Sequence, residues 1–145
     1  MKIEKWHFPD ELLYDGNHQW VRFLKGTART GLTDFGQGVR GDILYVQLPA
    51  VGARVKAGEA VASMETGKWV GRIYSPCDGT IAAVNTPLLE APQRINEEPY
   101  GDGWIFEVRE DAQGSRAELR QGEAFRAWLA EEAERYGLPT PQSVP

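Results

Sequence analysis

The turn at residues 65–70 places one lysine, Lys68, beside a glycine and between two segments with alternating side chains. Residues 60–65 and 69–74 alternate with a period of two, which is typical of β-strands. Two such strands joined through a turn that contains glycine predict a β-hairpin. Lys68 then lies at the tip with its amine in solvent. There it is either a solvated turn charge or a rigidly presented site for a modifying enzyme.

The residues before and after this hairpin share a spacing of glycines and branched side chains. Residues 52–61 have the pattern G-x-x-V-x-x-G-E-x-V, and residues 73–81 have I-x-x-P-x-x-G-x-I. Each glycine falls where a short strand ends and the backbone has to turn, a position that favours positive φ. The pattern resembles the biotinyl and lipoyl carrier domains, in which the lysine at the tip bears the cofactor through an amide bond.

Blocks of residues in order along 8–108 resemble the glycine-cleavage H-protein family. They are His-Gln-Trp-Val at 18–21, Gly-Leu-Thr-Asp-Phe at 31–35, Gly-Asp-Ile-Leu-Tyr-Val-Gln-Leu-Pro at 41–49 and Ile-Asn-Glu-Glu-Pro-Tyr-Gly-Asp-Gly-Trp at 95–104. The resemblance implies a mainly β, lipoyl-domain-like barrel-sandwich hybrid, which is a flattened β-barrel. It also implies lipoate on Lys68 as a lipoyl-lysine, with Glu65 and Gly67 recognised by the enzyme that attaches it.

The sequence departs from this family at the positions that receive the cargo of the lipoyl arm. H proteins carry an aminomethyl group, and the resemblance implies a cleft whose carboxylates receive its ammonium. Those acids stand in a His-Glu-Trp sequence and four residues beyond the lipoyl lysine, where this chain has Gln19 and Arg72. A partly buried ammonium needs anionic or acceptor partners. We therefore expect the arm cleft, formed by Asn17, His18, Gln19 and Arg72, to suit a neutral or anionic cargo. His18 is also expected to orient the N-terminal arm near the lysine.

With these departures, the sequence is similar to the H-like lipoate-binding proteins that work with a heterodisulfide-reductase-like complex in sulfur oxidation. We expect a carrier, not an enzyme, whose arm shuttles a thiol-bound sulfur species between enzymes. The alternatives are the aminomethyl carrier of the glycine cleavage system, a relay that passes lipoyl groups to other enzymes, and an interaction module without lipoate. Expected partners are a lipoate–protein ligase or lipoyl transferase, the heterodisulfide-reductase-like complex or glycine cleavage enzymes, and dihydrolipoyl dehydrogenase.

The chain is expected to divide into a carrier domain at 1–109, a linker and C-terminal helix at 110–137, and a flexible tail at 138–145. Thr33 is a good N-cap residue, which predicts a short helix near 33–39. Apolar residues recur at helical spacing between 123 and 136, and this stripe either packs on the barrel or binds a partner. The stripe consists of Phe125, Trp128, Leu129, Ala133 and Tyr136.

The rest of the carrier domain is predicted to be strands and turns around one core. Residues 1–15 are expected to form an irregular arm, and Val61 and Ile73 are expected to face the core. Besides the hairpin, the alternating pattern predicts strands at 19–24, 27–32, 43–48 and 104–108, with 43–48 buried.

Composition and the remaining motifs argue against several other classes of function. The net charge of −5 argues against a nucleic-acid partner, and no segment approaches the ~18–20 apolar residues that a membrane helix needs. The polar N-terminus lacks the apolar core of a signal peptide, and a single cysteine, Cys77, fits a reducing, cytoplasmic location. Residues 36–41 spell G-x-G-x-x-G, but a strand is predicted after them, so we expect a loop and not a dinucleotide site. No metal site is predicted, because CxxC, HExxH and clustered histidines are absent from the sequence.

Overall fold

The computed structural model describes residues 2–3, 5–68 and 70–135, which form a mainly β fold with a short helix after the second long strand and a longer helix at the C-terminal end. The predicted short helix near 33–39 is α1, and the predicted C-terminal helix is α3. The tail predicted at 138–145 lies outside the described residues. The elements are β1 (Lys2–Ile3), β2 (Trp6–His7), β3 (Leu13–Tyr14), β4 (Gln19–Leu24), β5 (Thr27–Leu32), α1 (Asp34–Arg40), β6 (Tyr45–Gln47), β7 (Arg54–Val55), β8 (Ala60–Glu65), β9 (Val70–Tyr74), β10 (Gly79–Val84), a 3₁₀-helix (Thr86–Leu89), α2 (Arg94–Glu97), β11 (Phe106–Glu110) and α3 (Gly122–Arg135).

Two antiparallel sheets enclose the main core, as predicted for a flattened β-barrel. The larger sheet has the strand order β3-β4-β5-β11-β10-β7, and the smaller has the order β6-β8-β9. Ile73 and Met64 of the smaller sheet belong to one buried cluster with Ile81, Phe106 and Val108 of the larger. Full burial of such a side chain stabilises the fold by about 1.5–3 kcal/mol. The sheet that carries the predicted lysine hairpin is therefore anchored from its inner face.

A second buried cluster joins the N-terminal arm to α3. Phe8, Leu12 and Tyr14 are buried there together with Phe125 and Leu129 of the helix. The rings of Tyr14 and Phe125 stack with their centroids 4.2 Å apart. The prediction of an irregular arm at 1–15 is therefore wrong in part, because three short strands and a set of buried side chains order this segment.

The predicted apolar stripe of α3 is largely turned inward. Phe125, Leu129 and Ala133 are buried and Trp128 is partly buried, whereas Tyr136 lies outside the described residues. The polar segment before the helix is also fixed to the fold, because Arg120 pairs with Tyr14 through two backbone hydrogen bonds of 2.8 and 2.9 Å.

The G-x-G-x-x-G motif at 36–41 forms most of α1 and not the predicted loop. The Thr33 hydroxyl caps this helix by accepting a hydrogen bond of 2.9 Å from the Gly36 N–H. A Cβ at Gly36 would lie 2.8 Å from the His18 carbonyl oxygen, and one at Gly38 would overlap the Trp6 ring. These glycines therefore permit close packing of the helix, and this role explains them without a nucleotide.

Two strand predictions need correction, although the strands predicted at 19–24 and 27–32 are confirmed as β4 and β5. The segment at 43–48 contributes only Tyr45–Gln47, an edge strand that pairs with β8 alone, and the Tyr45 side chain is 68% exposed. The closing strand begins at Phe106 and not at 104. The predicted core position of Val61 is confirmed only in part, because Val61 packs against the core cluster but is only partly buried, whereas Ala62 and Met64 are buried. The register of β8 with β9 shifts between Ala60 and Ala62, which interrupts the simple alternation of faces at Val61.

Candidate functional site

Lys68 lies in the turn between β8 and β9, and its side chain is exposed as predicted. The last register pair of these strands is Glu65 with Val70. Within the turn the Lys68 N–H donates to the Thr66 hydroxyl over 3.3 Å. Pairing of the two strands fixes the backbone from which the exposed Lys68 side chain extends into solvent.

Gly67 is exposed, and its conformation does not require glycine. Its φ lies outside the positive region, and a Cβ added there would meet no heavy atom of the described residues within 4 Å. Folding alone thus leaves room for a side chain at this position. A requirement for glycine at 67 would come from an enzyme that approaches the turn.

Among the surface grooves lined by described residues, two flank the hairpin. The first groove, of about 480 Å³, lies between the C-terminal end of α1 and the tip of the hairpin. Its lining includes Arg40, Asp42, Leu44, Thr66 and Lys68. A flexible chain attached to Lys68 would begin at the edge of this groove.

The second groove, of about 510 Å³, lies on the outer face of the smaller sheet. Arg72 and Val70 of β9, Ser63 of β8 and Gln47 of β6 contribute to its lining. Arg72 is exposed and pairs in register with Ser63. Among the described residues that line this groove, arginine supplies the charge and none is acidic.

Gln19 occupies a different environment from the cleft expected for it. Its side chain is fully buried and bridges the two sheets through Tyr74. The Gln19 Oε1 accepts a hydrogen bond of 2.8 Å from the Tyr74 N–H, and Nε2 donates to the Tyr74 carbonyl oxygen over 2.9 Å. Nε2 also donates to Thr30 Oγ1 over 3.2 Å. The amide therefore pairs with a backbone unit as another peptide group would.

Replacing Gln19 by glutamate should weaken this bridge. Near neutral pH a carboxylate at 19 would face the Tyr74 carbonyl oxygen and could not donate to it. A buried acceptor without its donor costs about 1–3 kcal/mol, so Gln19→Glu should lower the free energy of unfolding in urea by that amount. The loss should shrink at acidic pH, where the carboxyl is protonated and can donate. A variant as stable as the wild type at neutral pH would contradict the bridge.

Asn17 and His18 also fail to join Arg72 in one cleft. Asn17 is exposed in the turn before β4, and its N–H donates to Asp15 Oδ1 over 2.8 Å. The His18 ring is buried between Phe35 and Trp128, with centroid distances of 5.0 and 5.2 Å. The structure thus places His18 beneath α3, where it contacts α1 and α3, and His18 is not among the residues that line the two grooves beside the hairpin. The expected set of four is not brought together.

Burial lowers the pKa of His18 from 6.5 to about 4, and the positive charges of Arg40 and Arg135 act in the same direction. From α3, Glu132 Oε2 also approaches His18 Nε2, at 4.0 Å. The pKa of Asp15, three residues before His18, shifts in the opposite direction. Burial raises it from 3.8 to about 6, although hydrogen bonds from two backbone N–H groups act to lower it. Both groups resist ionisation in the folded protein.

These pKa values predict a pH-dependent contribution from His18. Because the unfolded chain binds a proton at His18 more readily than the folded protein does, stability from this group is complete above pH 6.5 and is lost as pH falls toward 4. The stability gap between the wild type and His18→Asn should therefore shrink by up to about 3 kcal/mol between pH 7 and pH 4. Asparagine tolerates the positive φ of 62° at this position. Urea titrations at several pH values measure the gap, and a gap independent of pH would contradict this environment.

The other candidate chemistry is absent from the part of the chain that the structure describes. Cys77 is fully buried, and burial raises the pKa of its thiol to about 12, so it is a packing residue. No group of His, Cys, Asp or Glu among residues 2–3, 5–68 and 70–135 has the arrangement of a metal site. Nor is any described helix long and apolar enough to span a membrane.

The sequence prediction missed two exposed apolar residues near Lys68. Tyr45 and Val70 are 68% and 62% exposed, and each pairs in register with Glu65. Alternation alone does not say which face of β6 is covered. The pairing of β6 with β8 supplies that information, because it places Tyr45 on the face of Glu65.

Comparison with known proteins gives consistent matches. A family model described as "Glycine cleavage H-protein" matches residues 12–132. The glycine cleavage system H protein of Mycobacterium avium (strain 104) is 43% identical over 128 residues, covering 85% of this chain and 97% of that protein. The one from Salinibacter ruber (strain DSM 13855 / M31) is 40% identical over 117 residues, covering 81% and 94%. A crystal structure of a glycine cleavage system H protein from Mycobacterium marinum has a TM-score of 0.75 and 31% identity, covering 90% of this chain and all of that one.

Proposed function

Because the chain belongs to the glycine cleavage H-protein family, whose members are non-catalytic carriers of lipoate on a lysine, we propose that Lys68 is its lipoyl lysine. The observation that carries this proposal is an exposed amine at the tip of a paired hairpin, beside a groove to which Lys68 itself contributes. Lys25 also lies at a hairpin turn, between β4 and β5, and Lys56 is exposed near β7. Neither residue lines the two grooves that flank β8 and β9.

The residues around Lys68 fit a lysine that is acylated and then used as the root of an arm. Lys68 is exposed, so its amine can enter the active site of another protein, and the Thr66 contact fixes the turn. Glu65 and Gly67, both exposed on the same turn, are the residues that we propose an attaching enzyme recognises. Bound lipoate supplies a reversible dithiol that takes up and releases a cargo. The chain itself supplies the position from which that arm reaches its partners.

For the cargo we propose the aminomethyl group of glycine cleavage. The curated relatives described above carry the name glycine cleavage system H protein and cover most of this chain. Partners are then the glycine cleavage enzymes, a lipoate–protein ligase or lipoyl transferase, and dihydrolipoyl dehydrogenase. A reducing, cytoplasmic location is part of this proposal, supported by the single cysteine.

A thiol-bound sulfur species is a second candidate cargo, and Arg72 is the observation that favours it. This arginine lies four residues beyond Lys68 in the second groove. The exposed positive charge of Arg72 would destabilise a nearby ammonium by at most roughly 1 kcal/mol. The same charge could pair with an anion. The argument from Gln19 is weaker than the sequence indicated, because its amide bonds to Tyr74 and not to a cleft. The comparisons support the glycine cleavage cargo and give no support to sulfur oxidation.

Carbon dioxide exchange with glycine and purified glycine decarboxylase tests the choice of cargo. The lipoylated wild-type protein should support exchange. Arg72→Asp removes the repulsion and adds an attraction of similar size, so it should increase exchange by no more than about thirtyfold, which corresponds to about 2 kcal/mol. If the Arg72→Asp variant supports exchange and the wild type does not, the aminomethyl group is not the cargo of the wild-type protein. That result would favour a thiol-bound sulfur species as the cargo. Exchange with neither would contradict the proposed partnership. Arg109→Asp, on β11 of the larger sheet, serves as a control for the change of net charge.

A further inference from the structure

The outer face of the smaller sheet has a row of side chains at its lysine end. Register pairs place Tyr45 of β6 opposite Glu65 of β8, and Glu65 opposite Val70 of β9. Residues paired in register project from the same face of a sheet. With neighbouring strands about 4.8 Å apart, this row is about 10 Å wide. We call Tyr45, Glu65 and Val70 the hairpin row.

The hairpin row is apolar at both ends and acidic at its centre. Tyr45 is 68% exposed and Val70 is 62% exposed, and Leu44 beside them is 49% exposed. The backbone of Leu44 is fixed to the hairpin, because its N–H donates to the Glu65 carbonyl oxygen over 2.8 Å. Large apolar side chains that remain exposed next to one another commonly mark an interaction surface. Tyr45, Glu65 and Val70 are all exposed, so the described residues leave this end of the outer face open.

The position of the row relative to Lys68 determines which partner can contact it. A lysine side chain extends roughly 6 Å, since it contains five bonds of about 1.5 Å in a staggered chain. An enzyme that holds the Lys68 amine in its active site must therefore approach the turn to within that distance. The nearest paired residues are Glu65 and Val70, at the first rung of the ladder. Such an enzyme reaches the hairpin row before any other part of the sheet.

We propose that the hairpin row is the docking surface for the enzyme that attaches lipoate to Lys68, an inference that rests on the proposed function. The enzyme's complementary surface holds a basic side chain opposite Glu65, with apolar contacts on both sides for Tyr45 and Val70. Tyrosine is among the residues that contribute most to protein interfaces. The recognition element thus extends beyond the turn itself, onto a strand that is distant in sequence.

Steady-state lipoylation tests this surface, with a purified lipoate–protein ligase, lipoate and ATP. Tyr45→Thr and Val70→Thr keep a residue that favours strands and remove the apolar contact. Each should raise KM for the carrier about tenfold, equivalent to 1.4 kcal/mol of binding, with kcat within about twofold of the wild type. Leu24→Thr and Val51→Thr are the matched controls, because these residues are 47% and 63% exposed but lie away from the hairpin tip. The controls should leave KM unchanged.

The possible outcomes separate this inference from the proposed function. If the wild-type protein accepts lipoate on Lys68 but the row variants keep the KM of the controls, the docking surface is wrong and the proposed function stands. If the wild-type protein does not accept lipoate on Lys68, the proposed function fails first. If sedimentation shows self-association that Tyr45→Thr abolishes while KM is unchanged, the row is a contact between copies and the proposal is overturned. Thermal unfolding of each variant identifies any KM change caused by loss of the fold.

Discussion

Lys68→Arg should abolish lipoylation and reduce carbon dioxide exchange with glycine decarboxylase to the level of a reaction without carrier. Arginine preserves the positive charge and approximate length of the side chain, so the turn should keep its conformation. The guanidinium stays protonated in proteins and is not expected to form the amide that attaches lipoate. The loss should therefore be complete. Intact mass after incubation with ligase and lipoate measures the attachment, and the exchange assay measures the function.

Lys25→Arg is the matched control for this experiment, because Lys25 also lies in a turn between paired strands. It should gain one lipoyl group and support exchange as the wild type does. Exchange that persists in Lys68→Arg, or attachment that disappears in Lys25→Arg, would show that the hairpin of β8 and β9 is not the carrier hairpin.

Ile73→Ala should produce the largest loss of stability among the substitutions considered for the hairpin. Its side chain is fully buried between the two sheets. Truncating a buried isoleucine removes apolar groups that folding had taken out of water and leaves a cavity, at a cost of about 2–5 kcal/mol. Urea denaturation should show the midpoint falling with little change in the slope, because the same surface is exposed on unfolding.

Two substitutions on the same hairpin provide the comparison. Lys68→Ala removes an exposed side chain and should change stability by no more than about 0.5 kcal/mol. Val61→Ala affects a side chain that is only partly buried, so it should fall between the two. A greater loss for Lys68→Ala than for Ile73→Ala would contradict the placement of both residues.

The position of Lys68 could be predicted from sequence because the evidence is local. Two alternating segments and a glycine-containing turn lie within fifteen residues, and hairpin pairing joins neighbours in the chain. The Thr33 cap of α1 and the apolar stripe of α3 depend on similarly short spacings. Both ends of α1 and the start of α3 lie within about one residue of their predicted positions. Short-range chemistry was sufficient for these elements.

The environment of Gln19 could not be predicted in this way. Its hydrogen-bonding partner, Tyr74, is 55 residues away in sequence, and the contact exists only once the two sheets have packed. From the family pattern alone, a glutamine where an acid is usual indicated an altered cleft. In the structure the same amide accepts from one backbone group and donates to another, which a carboxylate cannot do. The cargo hypothesis based on position 19 therefore lost its main support.

The faces of the strands were uncertain for a related reason. Val61 and Ala62 are both apolar, so composition did not show which of the two points inward, and packing against the larger sheet turns Ala62 and Met64 toward the core. The burial of His18 likewise depends on α3, which begins more than a hundred residues later. Long-range packing, absent from local patterns, determined both results.

Peptide mapping of the lipoylated wild-type protein is the most direct test of the central claim, that this chain is a carrier with its lipoyl arm on Lys68. The folded protein should be incubated with ligase, lipoate and ATP, digested, and each lysine-containing peptide examined by tandem mass spectrometry. We predict a single lipoyl group, located on Lys68, with Lys25 and Lys56 unmodified. A lipoyl group on either of those lysines, or none on the folded chain, would contradict the claim.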